Sequence, residues 1–188
     1  LIRGLASVDT VNEYVLCVGP EAAPTFTPPN GRWHIVQSPI PSSNRAARLA
    51  MEQTWLPRRA AHLRADVIHS LGYTSPLVSH SPRVTTIFDM NYKRHPEDLS
   101  VAERLVYALM VPSVARRSAR VIALTRAAAA DVVRWTGVDP ARVQAVYLGL
   151  GQEFPDDNQY DAQRLASAGV SEPFVLCVAA GYPHKNVE

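Results

Sequence analysis

The apolar positions of this chain fall into short runs rich in β-branched residues, separated by longer stretches where they recur at helical spacing. The most pronounced run is SPRVTTIFDMNY, residues 81–92. Val84, Thr85, Thr86, Ile87 and Phe88 favour the pleated geometry of a strand. The run is apolar or hydroxylic on both faces, which predicts a central strand covered by helices on both sides. It ends on Asp89, Asn91 and Tyr92, followed by Lys93, Arg94, His95 and Pro96. Open α/β sheets place their chemistry at the carboxyl ends of buried strands in this way. Taken alone, Asp89 reads equally well as a cleft carboxylate and as the cap of a turn.

The flanking pattern alternates. A helix end at residues 2–5 precedes a strand at 14–18, closed by Gly19 and Pro20. Residues 20–32 read as a loop and 33–37 as a second strand. Residues 45–64 read as a helix with Leu49, Trp55, Leu56 and Leu63 on its apolar stripe, and Pro57 predicts a kink or restart. A third strand at 66–70 leads into a turn with Gly72 and Tyr73, and 84–88 is the fourth. Ser100 and Glu103 have capping-box spacing. The helix they open is so apolar over 105–114 that it is expected to be buried, with a kink at Pro112. Arg116, Arg117 and Arg120 suit its carboxyl end. A fifth strand at 121–124 runs into Thr125, the cap of an alanine-rich helix over 126–135 that stops at Gly137. A sixth strand is read at 143–148, a polar linker at 152–159, a short helix at 160–168 and a strand at 174–178 that opens a new unit. Strands and helices alternating at this spacing predict an α/β fold with a doubly wound, mostly parallel sheet.

Composition narrows the classes only a little. The 188 residues are 47% hydrophobic and 19% charged, enough chain for a substantial core. A net charge of +2 is too mild to argue for nucleic acid. Cys17 and Cys177 sit in the similar runs YVLCV and FVLCV, with no C-x-x-C and no ligand-spaced histidine pair. They are expected to be buried, reduced thiols of a cytosolic protein. No run approaches the ~20 apolar residues of a membrane-spanning helix, and the start does not read as a signal peptide. The chain opens on LIRGLAS and closes on HKNVE, so both ends read as cut from something longer.

The order of features resembles a specific family. DVIHS (66–70), VTTIFDM (84–90), the stretch RVIALTRAAAADVVRWTGVDPARVQAVYLGLGQEF (120–154) and PFVLCVAAGYPHKN (173–186) together are similar to the family 4 glycosyltransferases. EQTWLP (52–57) looks like the helix of that family's mannosyltransferase-like branch. The resemblance covers nearly all of the chain from about residue 45, and its order and spacing carry it. It implies the GT-B architecture, in which two Rossmann-like domains face each other across a cleft. Residues 1–151 then form the acceptor-side domain, lacking its first strand and Gly-rich loop. Residues 152–172 are the linker, and 173–188 the first strand and loop of the donor-binding domain.

Site residues follow from the resemblance, each with a plainer reading beside it. Asp89 falls where the family has its Asp after the fourth strand, and Tyr92, Gly72 and Tyr73 border the same cleft. His69 matches the family's strand-end histidine, although a lone histidine there is commonly structural. Phe88 departs from the many relatives with His, which removes an acid–base role at that position. Leu71 likewise stands where another branch places a catalytic His, so no base is assigned. Thr125 is explained by capping alone, yet its helix amino terminus points toward the crevice and suits an anion. Lys185, after Gly181, matches the basic residue relatives use against the donor diphosphate. A fixed cation there stabilises the leaving nucleoside diphosphate without a metal. Lys93, Arg94, His95, Arg58, Arg59 and Arg64 read either as a face for an anionic acceptor or lipid headgroup, or as solvated charge.

The expectation is a fragment of a retaining, metal-independent glycosyltransferase with no cofactor. It would move a sugar from a UDP- or GDP-linked donor to a saccharide, a lipid-linked saccharide or a small molecule. The fragment alone should be inactive, because the missing donor domain supplies half the site. Its place would be the cytoplasm, with peripheral contact at the cytosolic membrane face left open. Two rivals stand beside it: a non-catalytic Rossmann-like binding or interaction domain, favoured by Phe88 and Leu71, and another nucleotide-sugar enzyme of epimerase or phosphorylase type.

Overall fold

The computed structural model describes residues 1–41, 43–149, 162–171, 173–175, 177 and 178. The chain opens with helix α1, Ile2–Val8, then the parallel pair β1, Tyr14–Val18, and β2, Trp33–Gln37. Helix α2, Arg45–His62, leads to β3, Ile68–Ser70, and β4, Arg83–Ile87. After the short α3, Asn91–Arg94, come α4, Val101–Arg117, β5, Arg120–Ala123, α5, Arg126–Thr136, and β6, Val143–Ala145. A final helix α6 spans Ala162–Ser167.

Every described strand pairs in parallel, as βα alternation requires. The strands nonetheless form two sheets, β1-β2 and β3-β4-β5-β6. The alternation predicts a single sheet, whereas the described strands divide into these two. The architecture is Rossmann-like, with β4 and β5 innermost in the larger sheet.

Strand β4 shows why SPRVTTIFDM sits at the centre. Thr85 and Ile87 project from one face into the layer of α4 and α5, and both are fully buried. Ile87 joins Met90, Tyr92, Val111, Ala115, Val121, Val132 and Val138 in the core. Burying each large apolar side chain of this kind contributes roughly 1.5–3 kcal/mol. The buried Thr85 hydroxyl needs a partner and has one in Ser118 Oγ at 2.8 Å, which also donates to Val114 O at 2.9 Å. That pair fastens the end of α4 to the strand. Thr86 faces the opposite side, where its Oγ1 lies 2.9 Å from His69 Nε2.

Helix ends follow local chemistry. Asn44 Oδ1 accepts from Ala47 N at 3.0 Å to start α2. Ser100 and Glu103 form the reciprocal capping box of α4. Gly137, with φ of 67°, closes α5 in the left-handed region. At the equivalent end of α2 the left-handed residue is Arg64, φ 54°, which has no glycine's freedom there.

Several expectations are corrected. α2 runs unbroken through Pro57, since one forfeited hydrogen bond is tolerated where Glu52 and Gln53 tie the helix to the 74–77 loop. α4 is not buried along 105–114: Val111, Val114 and Ala115 are, but Leu105 is 61% and Leu109 64% exposed. Tyr107, Val111, Val114 and Ala115 recur at i, i+4, i+7 and i+8 on the face toward the sheet, so Val101, Leu105 and Leu109 point away. One helix packed on one layer covers only one face. Cys17 and Cys177 are both exposed, as outward positions of weakly covered segments. Phe174, Val175, Cys177 and Val178 lie in no strand, having no neighbouring strand among the described residues to complete a ladder. The strands read at 66–70 and 143–148 shorten to Ile68–Ser70 and Val143–Ala145. Among the described residues no helix is long and apolar enough to cross a membrane.

Candidate functional site

In a parallel sheet all carboxyl ends share one edge, and the register fixes what gathers there. Ile87 pairs with Ala123 and Ala123 with Ala145, so β4, β5 and β6 end level. β3 stops lower, with Ser70 opposite Thr85, and Leu71, Gly72 and Tyr73 continue upward beside β4. The edge therefore carries Gly72, Tyr73, Phe88, Asp89 and Thr125.

Asp89 is the most constrained group on it. Its Oδ1 accepts from the Tyr73 hydroxyl at 2.8 Å and from Asn91 N at 2.9 Å. Its Oδ2 accepts from Asn91 Nδ2 at 3.1 Å. The carboxylate closes an Asx-type turn, as the capping reading expects, and the Tyr73 hydroxyl binds it from the neighbouring loop. A carboxylate offers about four lone-pair sites, so these three bonds leave about one unfilled. Burial and then the bond to Asp89 push the Tyr73 phenol well above its ordinary value. Tyr73 also packs edge-on to Phe88, with centroids 5.7 Å apart, and against Tyr107 of α4. Phe88 itself is 40% exposed, an apolar floor beside the carboxylate.

The remaining predicted residues separate. Tyr92 lies in the core beneath this edge, ring against Tyr107 at 5.8 Å. Its hydroxyl is buried without a partner among the described residues, and burial pushes its phenol up to about 12. His69 is the middle residue of β3, and burial lowers its imidazole below the ordinary value. Thr125 is a helix cap, its Oγ1 accepting from Ala128 N at 3.0 Å. A side chain at Gly72 would meet nothing within 4 Å, so close approach does not require glycine there. Gly181 and Lys185 lie outside the described residues, as does the linker read at 152–159.

The basic residues around the edge are largely occupied. Arg94 forks onto Asp131 of α5, through Nε at 2.9 Å and Nη2 at 2.8 Å. Lys93 Nζ stands 5.6 Å from the Tyr92 ring, and His95 Nδ1 lies 3.2 Å from Glu97. Among the described residues no three His, Cys, Asp or Glu side chains gather as metal ligands do.

Two residues that the sequence reading passed over position the edge. Glu52 accepts from Thr74 Oγ1 at 2.8 Å, and burial raises its carboxyl above the ordinary value. Gln53 donates to Ser75 O at 3.0 Å and accepts from Leu77 N at 2.8 Å. Together they hold the loop that follows Tyr73. Their signal in the sequence was two adjacent long polar residues on the half-buried side of a helix.

In open parallel sheets of this Rossmann-like kind, ligands bind beyond the carboxyl ends of the strands, the edge that carries Asp89. The model of Glycosyltransferase Family 4 matches residues 1–153, and the chain belongs to that family. No curated protein matches it.

Proposed function

We propose that this chain is the acceptor-side domain of a retaining, metal-independent glycosyltransferase of the mannosyltransferase-like branch. Its donor is a UDP- or GDP-linked sugar and its acceptor a saccharide, a lipid-linked saccharide or a small molecule. The observation that carries the reading is Asp89, held by Tyr73 and Asn91 at the carboxyl edge of a family 4 domain with acceptor capacity that these three bonds do not fill. That capacity suits the hydroxyl of an acceptor, which it would orient rather than deprotonate. Phe88 beside it supplies a flat apolar surface for the face of a sugar ring, and Thr125, at a helix amino terminus, suits an anionic part of the substrate. His69, turned to Thr86, and the buried Tyr92 are assigned to shaping the edge.

In this reading Lys185, with Gly181 allowing close approach, meets the donor diphosphate. Positive charge develops on the sugar and negative charge on the leaving group, and a fixed cation there favours the transition state. Residues 152–172 are the proposed linker and 173–188 the start of the donor domain. The protein would work in the cytoplasm, at the membrane face if its acceptor is lipid-linked.

The test is calorimetric titration of UDP-, GDP- and ADP-sugars into a protein carrying both family domains, with Lys185→Ala and Asp89→Ala beside it. One donor should bind, Lys185→Ala should weaken it, and Asp89→Ala should bind donor normally but fail to transfer. No donor binding, or transfer unaffected by Asp89→Ala, overturns the assignment.

A further inference from the structure

The loop after Tyr73 has no regular structure, yet each residue from Thr74 to Leu77 is hydrogen-bonded to a side chain of α2 or β4. Gln53 of α2 clamps the main chain, donating to Ser75 O at 3.0 Å and accepting from Leu77 N at 2.8 Å. Arg83 Nη1, at the start of β4, donates to Pro76 O at 2.7 Å. Ser75 and Pro76 are fully buried, whereas Val78, just beyond the held stretch, is 81% exposed.

Glu52 differs from these in what it binds. Its Oε2 accepts from the Thr74 hydroxyl at 2.8 Å, so it fastens a side chain, and that of the residue next to Tyr73. Its Oε1 lies 3.4 Å from Gln53 Nε2, long for a strong bond. Burial raises the Glu52 carboxyl above its ordinary value, against the opposing pull of Thr74 and the nearby Arg48 charge. A carboxylate drawn out of water costs free energy, and a loop already clamped at Ser75, Pro76 and Leu77 does not need one to stay closed. Those clamps begin at Ser75, so Glu52 is the contact that fixes the chain one residue from Tyr73. Consecutive side chains thereby reach two different elements, Thr74 to α2 and Tyr73 to Asp89 at the end of β4.

We propose that Glu52 is a positioning residue of the carboxyl edge: through Thr74 it holds Tyr73 in the orientation that donates to Asp89, and so sets the direction in which Asp89 presents its remaining acceptor capacity. It acts through Thr74 and Tyr73, not on substrate. A group that orients a substrate hydroxyl depends on neighbours that lock its own side chain, and here the lock begins on α2. The role rests on the reading of Asp89 as the group that orients an acceptor hydroxyl. A Glu52 that only stabilised the fold would have no particular bearing on the Tyr73 hydroxyl, and observing that hydroxyl separates the two.

The experiment follows the full chain, labelled with ¹³Cζ-tyrosine, by NMR at neutral pH; the Tyr73 signal is the one lost in Tyr73→Phe. Exchange of its hydroxyl proton is read from the isotope shift of Cζ in mixed light and heavy water. Glu52→Ala should speed that exchange about tenfold or more and move Cζ toward the position of a water-bonded phenol. Thr74→Val should do the same, and the double variant should add nothing further. Glu52→Gln keeps an acceptor for Thr74 and should fall nearer the parent than Glu52→Ala does. Trp33→Phe, which disturbs the other sheet at a ring stacked 4.1 Å from Tyr14, should leave the Tyr73 signal in place. A Tyr73 signal unchanged in Glu52→Ala or moved equally by Trp33→Phe overturns the proposal. So do additive effects of Glu52→Ala and Thr74→Val, or a Glu52→Gln signal no nearer the parent than that of Glu52→Ala. If Glu52→Ala proves unfolded by circular dichroism, Thr74→Val decides, by its own shift against that of Trp33→Phe. Neither donor nor acceptor enters this experiment, so its failure strikes Glu52 alone, whereas transfer that survives Asp89→Ala strikes the reading of Asp89.

Discussion

The Tyr73 hydroxyl donates to Asp89 Oδ1 at 2.8 Å, tying together the loops that follow two neighbouring strands. Tyr73→Phe keeps the ring contacts with Phe88 and Tyr107 and deletes only this bond. Because the acceptor is a carboxylate, the expected loss of stability is about 1.5–3 kcal/mol. Urea unfolding of the two proteins measures it. An unchanged midpoint would mean that the Asx turn alone holds Asp89.

Tyr92 presents the opposite case. Its hydroxyl is buried with no partner among the described residues, so the group is desolvated without compensation from them. Tyr92→Phe should leave stability unchanged or raise it by up to about 1 kcal/mol. A clear destabilisation in thermal melts would show that the hydroxyl has a partner in solution.

The two faces of α4 should respond differently. Val111→Ala opens a cavity in the core and is expected to cost about 2 kcal/mol. Leu105→Ser, on the exposed face, should stay within about 0.5 kcal/mol. Paired denaturation curves distinguish them. Equal losses would mean that something in solution covers the Leu105 face.

Arg64 holds a left-handed backbone at the end of α2 that Gly137 holds at the end of α5. Arg64→Gly relieves the contact between Cβ and the carbonyl oxygen, at some cost in unfolded-chain entropy. The net gain expected is roughly 0.5–1 kcal/mol. A lower melting temperature for the variant would contradict it.

Burial lowers the His69 imidazole below its ordinary 6.5. As pH falls through that value the unfolded chain takes up the proton first. The contribution of His69 is therefore full above 6.5 and shrinks toward the lower folded value. Partial exposure keeps the effect small. Between about pH 7.5 and 5.5, the urea midpoint should fall less in His69→Asn than in the parent. Parallel falls would place the His69 pKa at its ordinary value.

Local chemistry carried most of the elements. The run 84–88, the capping box at Ser100 and Glu103, the Thr125 cap and the Gly137 stop all depend on residues within a turn of one another, and all appear within a residue or so of their expected places. The alternation of period 2 and period 3.6 was enough for a parallel α/β fold with Asp89 at a strand end, while the order of motifs carried the resemblance to family 4. What required the tertiary structure was everything that joins distant segments. The Tyr73–Asp89 bond spans 16 residues and the Arg94–Asp131 fork spans 37. The exposed stripe of α4 arises because a helix apolar on two faces has only one sheet to meet. The Arg59 Nε without an acceptor among the described residues and the division of the strands into two sheets are likewise properties of what lies beside a residue in space. Hydrophobic periodicity states that a residue prefers burial; only packing decides which preferences are met.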